Sequence, residues 1–470
     1  MRLPGLKALL VLAGLLLAEG PLPAHPHFSP AQMLKRVREI DTILALDPPR
    51  DPKKRALLLE EQAQMLFPLG RLEEGFLAME KAIGLTPRDP TLYYNFASLL
   101  LTKDLVQEAL PYLRKAAALA PPKEVRYKAL LAQALERAEL WEEAGRTWLS
   151  AARSEKDPSL KAEKLGAAAR CLEKAGKIEE AEKLLGQAVA ATKKEPLWYH
   201  ERALFFLRTG RPAAAAADLE RAVKAAGGEE GEIYAWLVEE GEAWKKAGKA
   251  GRAARAFRAA LKEISKALEE DQAFAEDYYF HQARAWFGLG EPAKAAQALK
   301  KALEILPGEP PYLELALRVF RASGSRADLE KARKALAAEK EKEREALEED
   351  ALDRDRRLRK ARLQILRARK LLAAWRALRE KKKVDQALAD LEALGRAGKY
   401  LAARPKATWL LERGEPARAL EALQVLPARV RANEAWVAAL RLRALKALGR
   451  GKEGKKDEEL LRMYLESAGR

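Results

Sequence analysis

Four groupings of side chains in this sequence have the types and spacing to do chemistry. His25-Pro26-His27, after a cut behind Ala24, would offer a free α-amine and two imidazoles, a nitrogen set that grips copper. Residues 449–455 read Gly-Arg-Gly-Lys-Glu-Gly-Lys, close to a phosphate-cradling loop. Lys456, however, stands where a serine or threonine must meet magnesium, and no strand precedes it, so a helix-to-helix turn fits better. Cys171, the one cysteine, lies in an Ala-rich helical stretch and reads as a small buried hydrophobe. A lone thiol excludes an intrachain disulfide framework and any multi-thiolate metal site. The chain has four histidines, none beside a Ser or Cys in a nucleophile signature, so neither a His-built zinc site nor a catalytic triad is expected. No cofactor is expected, and an enzyme or a copper-binding protein is the weaker reading. The fourth grouping is a block of cations: residues 354–383 hold fourteen Lys or Arg against Asp355 and Glu380, a net +12 of the formal +18.

The elements that carry these groups come from a chain of 470 residues, 48% hydrophobic, which excludes a wholly disordered protein. Arg2 and Lys7 precede an uncharged run, Ala8 to Ala18, followed by small and Pro-rich residues to Ala24, the layout of a secretory signal peptide over 1–24. An eleven-residue run rises only about 16 Å as a helix, short of a bilayer core of roughly 30 Å, and no later stretch approaches spanning length. The expectation is an exported chain, periplasmic, envelope-associated or secreted, with no transmembrane helix after processing. Two asparagines, one cysteine and an abundance of Ala, Leu, Arg, Glu and Lys lean towards a thermophilic source.

Strand patterns are absent, and nearly every segment places apolar residues three and four apart, with Gly or Pro punctuating at short intervals. The chain is therefore read as all-α, built of short paired helices. Gly75, Met79, Ala82 and Pro87 recur as Ala109, Leu113, Ala116 and Pro121, thirty-four residues on, and Ala63 recurs as Ala97. The same register continues as Ala181/Leu185/Ala188, Ala215/Leu219/Ala222, Ala253/Phe257/Ala260 and Ala295/Leu299/Ala302, with a weaker Ala144/Trp148/Ala151. Small residues are needed there because a large side chain would wedge two touching helices apart.

On these residues the chain resembles the tetratricopeptide repeat (TPR) family, whose units carry small residues at their eighth, twentieth and twenty-seventh positions and proline at the thirty-second. Seven units fit between about Ala56 and Pro307. Leu313 to Gly324 reads as one more first helix, although Leu329 replaces its small residue, and the array is drawn over 56–338. Residues 25–55 hold a capping helix opened by the box Ser29-Pro30-Ala31-Gln32. Residues 396–470 hold further units marked by Ala407, Gly414 and Ala419, then Trp436, Gly449 and Gly454. The resemblance implies a right-handed superhelical solenoid whose first helices line a groove for peptides or protein partners, without catalysis; the charge run adds an inserted long charged helix to that all-α fold.

The resemblance also implies the groove residues: Thr91, Tyr94 and Ser98; Arg126, Gln133 and Arg137; Arg170 and Lys174; His200 and Arg208; Phe280 and Arg284. Guanidinium forks with a few aromatics would suit an extended, carboxylate-bearing and hence acidic peptide. The bland alternative is a solvated polar helix face. The Lys and Asn pattern by which some family members clamp a C-terminal carboxylate is missing, Glu60 and Gln64 standing at those places.

The charged segment, drawn over 339–395, runs from acid to base along its length, which complements a helix macrodipole. Leu358, Ala361, Ile365, Ala368, Leu372 and Trp375 form a three-four seam. Two roles follow: a helix packing one face on the neighbouring repeats, or an arm that docks on anionic lipid or cell-surface polymer through Arg356, Arg357, Arg359, Arg362, Arg367 and Arg369. Nucleic acid is disfavoured, since an exported chain rarely meets it.

Overall fold

The computed structural model describes residues 28–46, 48–192, 195–227, 233–270, 272–433 and 435–468. The expected signal peptide and the His25-Pro26-His27 group lie outside these residues. Every regular element among those described is helical, and none of the helices is long and apolar enough to cross a membrane. The chain divides into two compact units, one of residues 120–354 and one of 28–119 with 355–468.

In the first unit the chain runs through helix pairs: α6 (Val125–Arg137) with α7 (Trp141–Ser154), α8 (Pro158–Lys174) with α9 (Ile178–Ala191), and α10 (Pro196–Arg208) with α11 (Pro212–Ala226). Then come α12 (Ile233–Lys246) with α13 (Ala250–Glu270) and α14 (Ala275–Gly288) with α15 (Pro292–Ile305). Helix starts are set by chemistry legible in the chain: Asp157 accepts from the Leu160 N–H at 2.9 Å ahead of Pro158, and Pro196, Pro212 and Pro292 occupy other first turns. Hairpins close with a left-handed residue that lets the next N–H reach back. Gly176 (φ 75°) aims the Lys177 N–H at Leu172 O, 2.8 Å away. Glu139 does the same job at φ 59° with a side chain in place of a glycine.

The alanines of the repeat register, Ala144, Ala181, Ala215, Ala253 and Ala295, are buried in the contacts between helices. Phe257 is fully buried, and a Cβ added to Gly241 would lie 2.6 Å from its ring, one added to Gly288 2.3 Å. The last pair joins α16 (Pro310–Ser323) to the first turns of α17 (Arg326–Glu380), where Ala332 and Leu336 pack on Tyr312, Leu313, Ala316 and Phe320. An eighth pair is thus present, with Leu329 at the edge of its core.

The second unit opens with α1 (Pro30–Leu46), whose capping box forms as expected: the Gln32 N–H donates to Ser29 Oγ at 3.3 Å and the Ser29 N–H to Gln32 Oε1 at 2.7 Å. Pairs α2 (Pro52–Leu66) with α3 (Leu72–Leu85) and α4 (Pro90–Leu101) with α5 (Val106–Leu119) follow, their core built on Phe67, Phe76 and Phe96. The basic half of α17 packs on the second helices of these two pairs, nearly three hundred residues away in sequence. Gln364 Oε1 accepts from the N–H groups of Leu72 (3.0 Å) and Glu73 (3.4 Å), capping α3, and Arg362 reaches Glu108 at 3.2 Å. Ala361, Ile365 and Ala368 are buried as the seam requires; beyond them Leu371, Ala374 and Leu378 turn inward, while Leu372 and Trp375 are half-buried. The seam therefore has the expected spacing but a different cover from the neighbouring repeats.

α17 stops at Lys381–Lys383, two of which are left-handed, and a separate helix α18 (Val384–Glu392) follows, so the stretch drawn as one charged helix to 395 is two. Val384, Leu388 and Leu391 join Leu371, Ala374, Leu378 and Ala402 in one core, against which Leu77 of α3 packs. The unit ends with α19 (Gly395–Glu412), α20 (Pro416–Gln424), α21 (Ala428–Asn433), α22 (Ala435–Ala447) and α23 (Lys455–Ala468). Ala407 and Ala419 are buried about the Gly414 turn. The near phosphate loop is a helix-to-helix turn: Gly449 is left-handed, a 3-10 turn spans Gly451–Gly454, and Gly454 is buried against Leu442.

Two substitutions test this account. Glu139→Gly relieves a left-handed side chain and is expected to raise stability by about 0.5–1 kcal/mol in urea unfolding. Gly241→Ala forces a methyl into the Phe257 ring and is expected to cost about 1–3 kcal/mol in the same measurement.

Candidate functional site

In the first unit the first helices of successive pairs lie side by side, α12 touching α14 and α14 touching α16. This adjacency lets side chains on one repeat reach the next. Arg208 of α10 clasps Glu173 of α8 with both arms of its fork, at 2.7 and 2.9 Å. His200 Nε2 shares a hydrogen bond of 2.7 Å with Glu239 of α12, and its ring stacks on Trp236 at 5.3 Å between centroids. Arg284 of α14 clasps Glu242 of α12 at 3.1 and 2.9 Å, and Phe280 stacks on Tyr312 of α16 at 4.4 Å. The buried His281 points Nδ1 at Asp277, whose other carboxylate oxygen accepts from the Tyr234 hydroxyl at 2.6 Å.

The electrostatics of this ladder are coupled. Burial opposes the charge on Glu239, but the hydrogen bond from His200 and the charges of His200, Arg284 and His281 outweigh it and hold the carboxyl below its ordinary range. Asp277 is lowered in the same way, against burial, by His281, Tyr234 and Arg284. For Arg284, burial works against the cation while Glu242, Glu239 and Asp277 push its pKa up. Glu240, one residue along, is the contrary case: burial, then the nearby Glu220, raise its carboxyl to about 7 despite the Trp244 indole N–H and Arg255.

Of the residues implied by the family positions, the structure brings His200, Arg208, Phe280 and Arg284 into this ladder. The forks of Arg208 and Arg284 are taken up by carboxylates of the neighbouring repeat. Arg126 is exposed, 3.6 Å from Glu124 and over the Tyr127 ring; Arg137 is exposed, and Gln133 and Arg170 are half-buried. Lys174 is exposed with its ammonium 4.0 Å from the Trp141 ring centroid. In the second unit Thr91 is half-buried with its N–H on the Asp89 cap, while Tyr94 and Ser98 are buried. The carboxylates Glu173, Glu239, Glu242 and Asp277, and the rings of Tyr234, Trp236, His281 and Tyr312, escaped the sequence reading. Their signal was an acid and a base on successive first helices, blurred because the order varies and the separations run from 35 to 42 residues.

The six arginines of the basic helix divide by face. Arg356, Arg357 and Arg359 are exposed, the last beside Asp355. Arg362 meets Glu108, Arg367 is half-buried with its charge acting on Glu73, and Arg369 lies over the Phe76 ring. Cys171 is buried, and burial followed by Glu136 pushes its thiol up to about 12, which keeps it from reacting as a thiolate. Among the described residues no group of three or more His, Cys, Asp or Glu is placed to hold a metal ion.

Residues 94–160, 167–230 and 238–310 match the tetratricopeptide repeat model, and the consecutive helix pairs of these stretches have the packing typical of that repeat. Among solved structures, the crystal structure of MamA is 18% identical over 39% of this chain and 97% of that one, with a TM-score of 0.33. The Cut9–Hcn1 hetero-tetramer of the APC/C is 18% identical over 62% of this chain and 54% of that one, TM-score 0.32. The C-terminal part of a TPR repeat-containing protein from Cytophaga hutchinsonii is 13% identical over 55% and 98%, TM-score 0.39. No curated protein sequence matches the chain.

The Glu240 carboxyl sets a pH test. Its folded pKa of about 7 lies above the ordinary 4.5, so the folded state holds an extra proton between those values, and stability falls as pH rises through that window. Glu240→Gln is expected to stabilise by about 1–2 kcal/mol at pH 8 and to change little at pH 4, measured by urea unfolding at both.

Proposed function

We propose that this chain is a non-catalytic, exported scaffold that holds a protein partner on the first-helix face of its repeats, within an envelope, secretion or surface-assembly machine. The observation that carries the reading is the ladder from Glu173 to Tyr312. Its cross-repeat pairs fix the spacing of successive first helices and so pre-organise one long face for an extended segment. Docking there needs many weak contacts and no turnover. Export rests on the charged start, apolar run and small residues of positions 1–24.

The residues to test are those on this face that the ladder does not use. Arg137→Glu with Arg170→Glu changes an exposed and a half-buried cation. Capture from the native envelope fraction is expected to lose one defined protein with this pair, while the thermal unfolding curve is unchanged. Retention of every captured protein would move the function off this face.

A further inference from the structure

The outward side of the basic helix carries a second pattern, distinct from its buried seam. Arg356, Arg359, Leu363 and Leu366 follow one another at three- and four-residue steps, on the side away from Ala361, Ile365 and Ala368, and the next step, Lys370, is half-buried and meets Asp390 of α18 at 3.4 Å. Leu363 and Leu366 are 40% and 42% exposed, one turn apart. Arg357, Lys360, Arg376, Arg379 and Lys381 to Lys383 are exposed elsewhere along the same stretch, whose acids are limited to Asp355 and Glu380.

We propose that this strip is a docking surface for an anionic phospholipid bilayer, with the arginines and lysines at the headgroups and the two leucines entering the interface. The occupant follows from the pairing of charge with a small apolar centre. A partner helix would need a sustained apolar seam, and two leucines within one turn do not supply it. A soluble polyanion would take the charge and leave the leucines in water. A bilayer uses both, and it demands no shape complementarity beyond an exposed amphipathic face. The buried seam, the Gln364 cap on α3 and the Arg362–Glu108 pair hold the helix against the second unit, so the strip is presented already formed. The proposal uses none of the groove residues and stands or falls separately from the scaffold reading.

The test is co-sedimentation of the full chain with phosphatidylcholine vesicles, with and without phosphatidylglycerol, at low and high salt. Binding is expected only with phosphatidylglycerol and is expected to weaken with salt. Arg356→Gln, Arg357→Gln and Arg359→Gln together should weaken it roughly a hundredfold, at about fivefold for each cation. Leu363→Ser with Leu366→Ser keeps every charge and should weaken it roughly tenfold. Both variants change exposed positions, and an unchanged thermal unfolding curve confirms that each folds. No binding to phosphatidylglycerol vesicles would overturn the proposal. So would binding that ignores the leucine pair and is matched by soluble polyglutamate, since the strip would then be a general polyanion contact.

Discussion

The ring of Phe257 fills space that Gly241 and Gly288 leave empty, and the repeat array depends on contacts of this kind. Helices that touch at alanine or glycine come closer than larger side chains allow, and a wide side chain then closes the remaining gap. Trp148, Leu185, Leu219 and Leu299 stand at the same place in their units as Phe257, each flanked by buried alanines. One large residue held between small ones sets both the separation and the register of a pair. A repeat that loses either partner has a void or a clash, and both cost stability because the interior is close-packed.

Close approach decides what the polar side chains can do. Once first helices lie side by side, an arginine or histidine on one reaches a carboxylate on the next, and the pairs Arg208–Glu173, His200–Glu239 and Arg284–Glu242 form across repeats. Such half-buried pairs contribute modestly to stability, but removing one partner leaves an uncompensated charge, so they select one stacking register over its neighbours. A basic groove in sequence is therefore partly an internal ladder in space.

How far the sequence could be read follows from the same physics. Small residues at fixed offsets, prolines at helix starts and glycines at hairpin turns are local constraints, and they placed the pairs correctly, including the Ser29–Gln32 capping box. The turn at Glu139 escaped because a left-handed position filled by a side chain leaves no glycine to mark it. The ladder escaped because spacer lengths vary, so no single offset joins an acid to its base. The cover of the basic helix escaped for a deeper reason. A three-four seam states that a helix has an apolar face, and nothing in it says which surface receives that face. The receiving residues Leu72, Phe76, Leu77 and Glu108 are ordinary members of second helices.

That cover changes the meaning of the charge block. Read as a sum, residues 354–383 are a single patch of net +12. In the fold the block is sorted by helix face. Arg362 answers Glu108, Arg367 acts on Glu73, and Arg369 lies over an aromatic ring, all on the side turned to the repeats. Those charges belong to the packing of the helix, and changing them would loosen α17 before it altered any encounter. What an outside partner meets is the opposite face, where exposed arginines lead into two leucines. A surface charge therefore has to be counted after the fold has taken its share, and here the share left over is an amphipathic strip whose apolar centre narrows the set of partners more than its charge does.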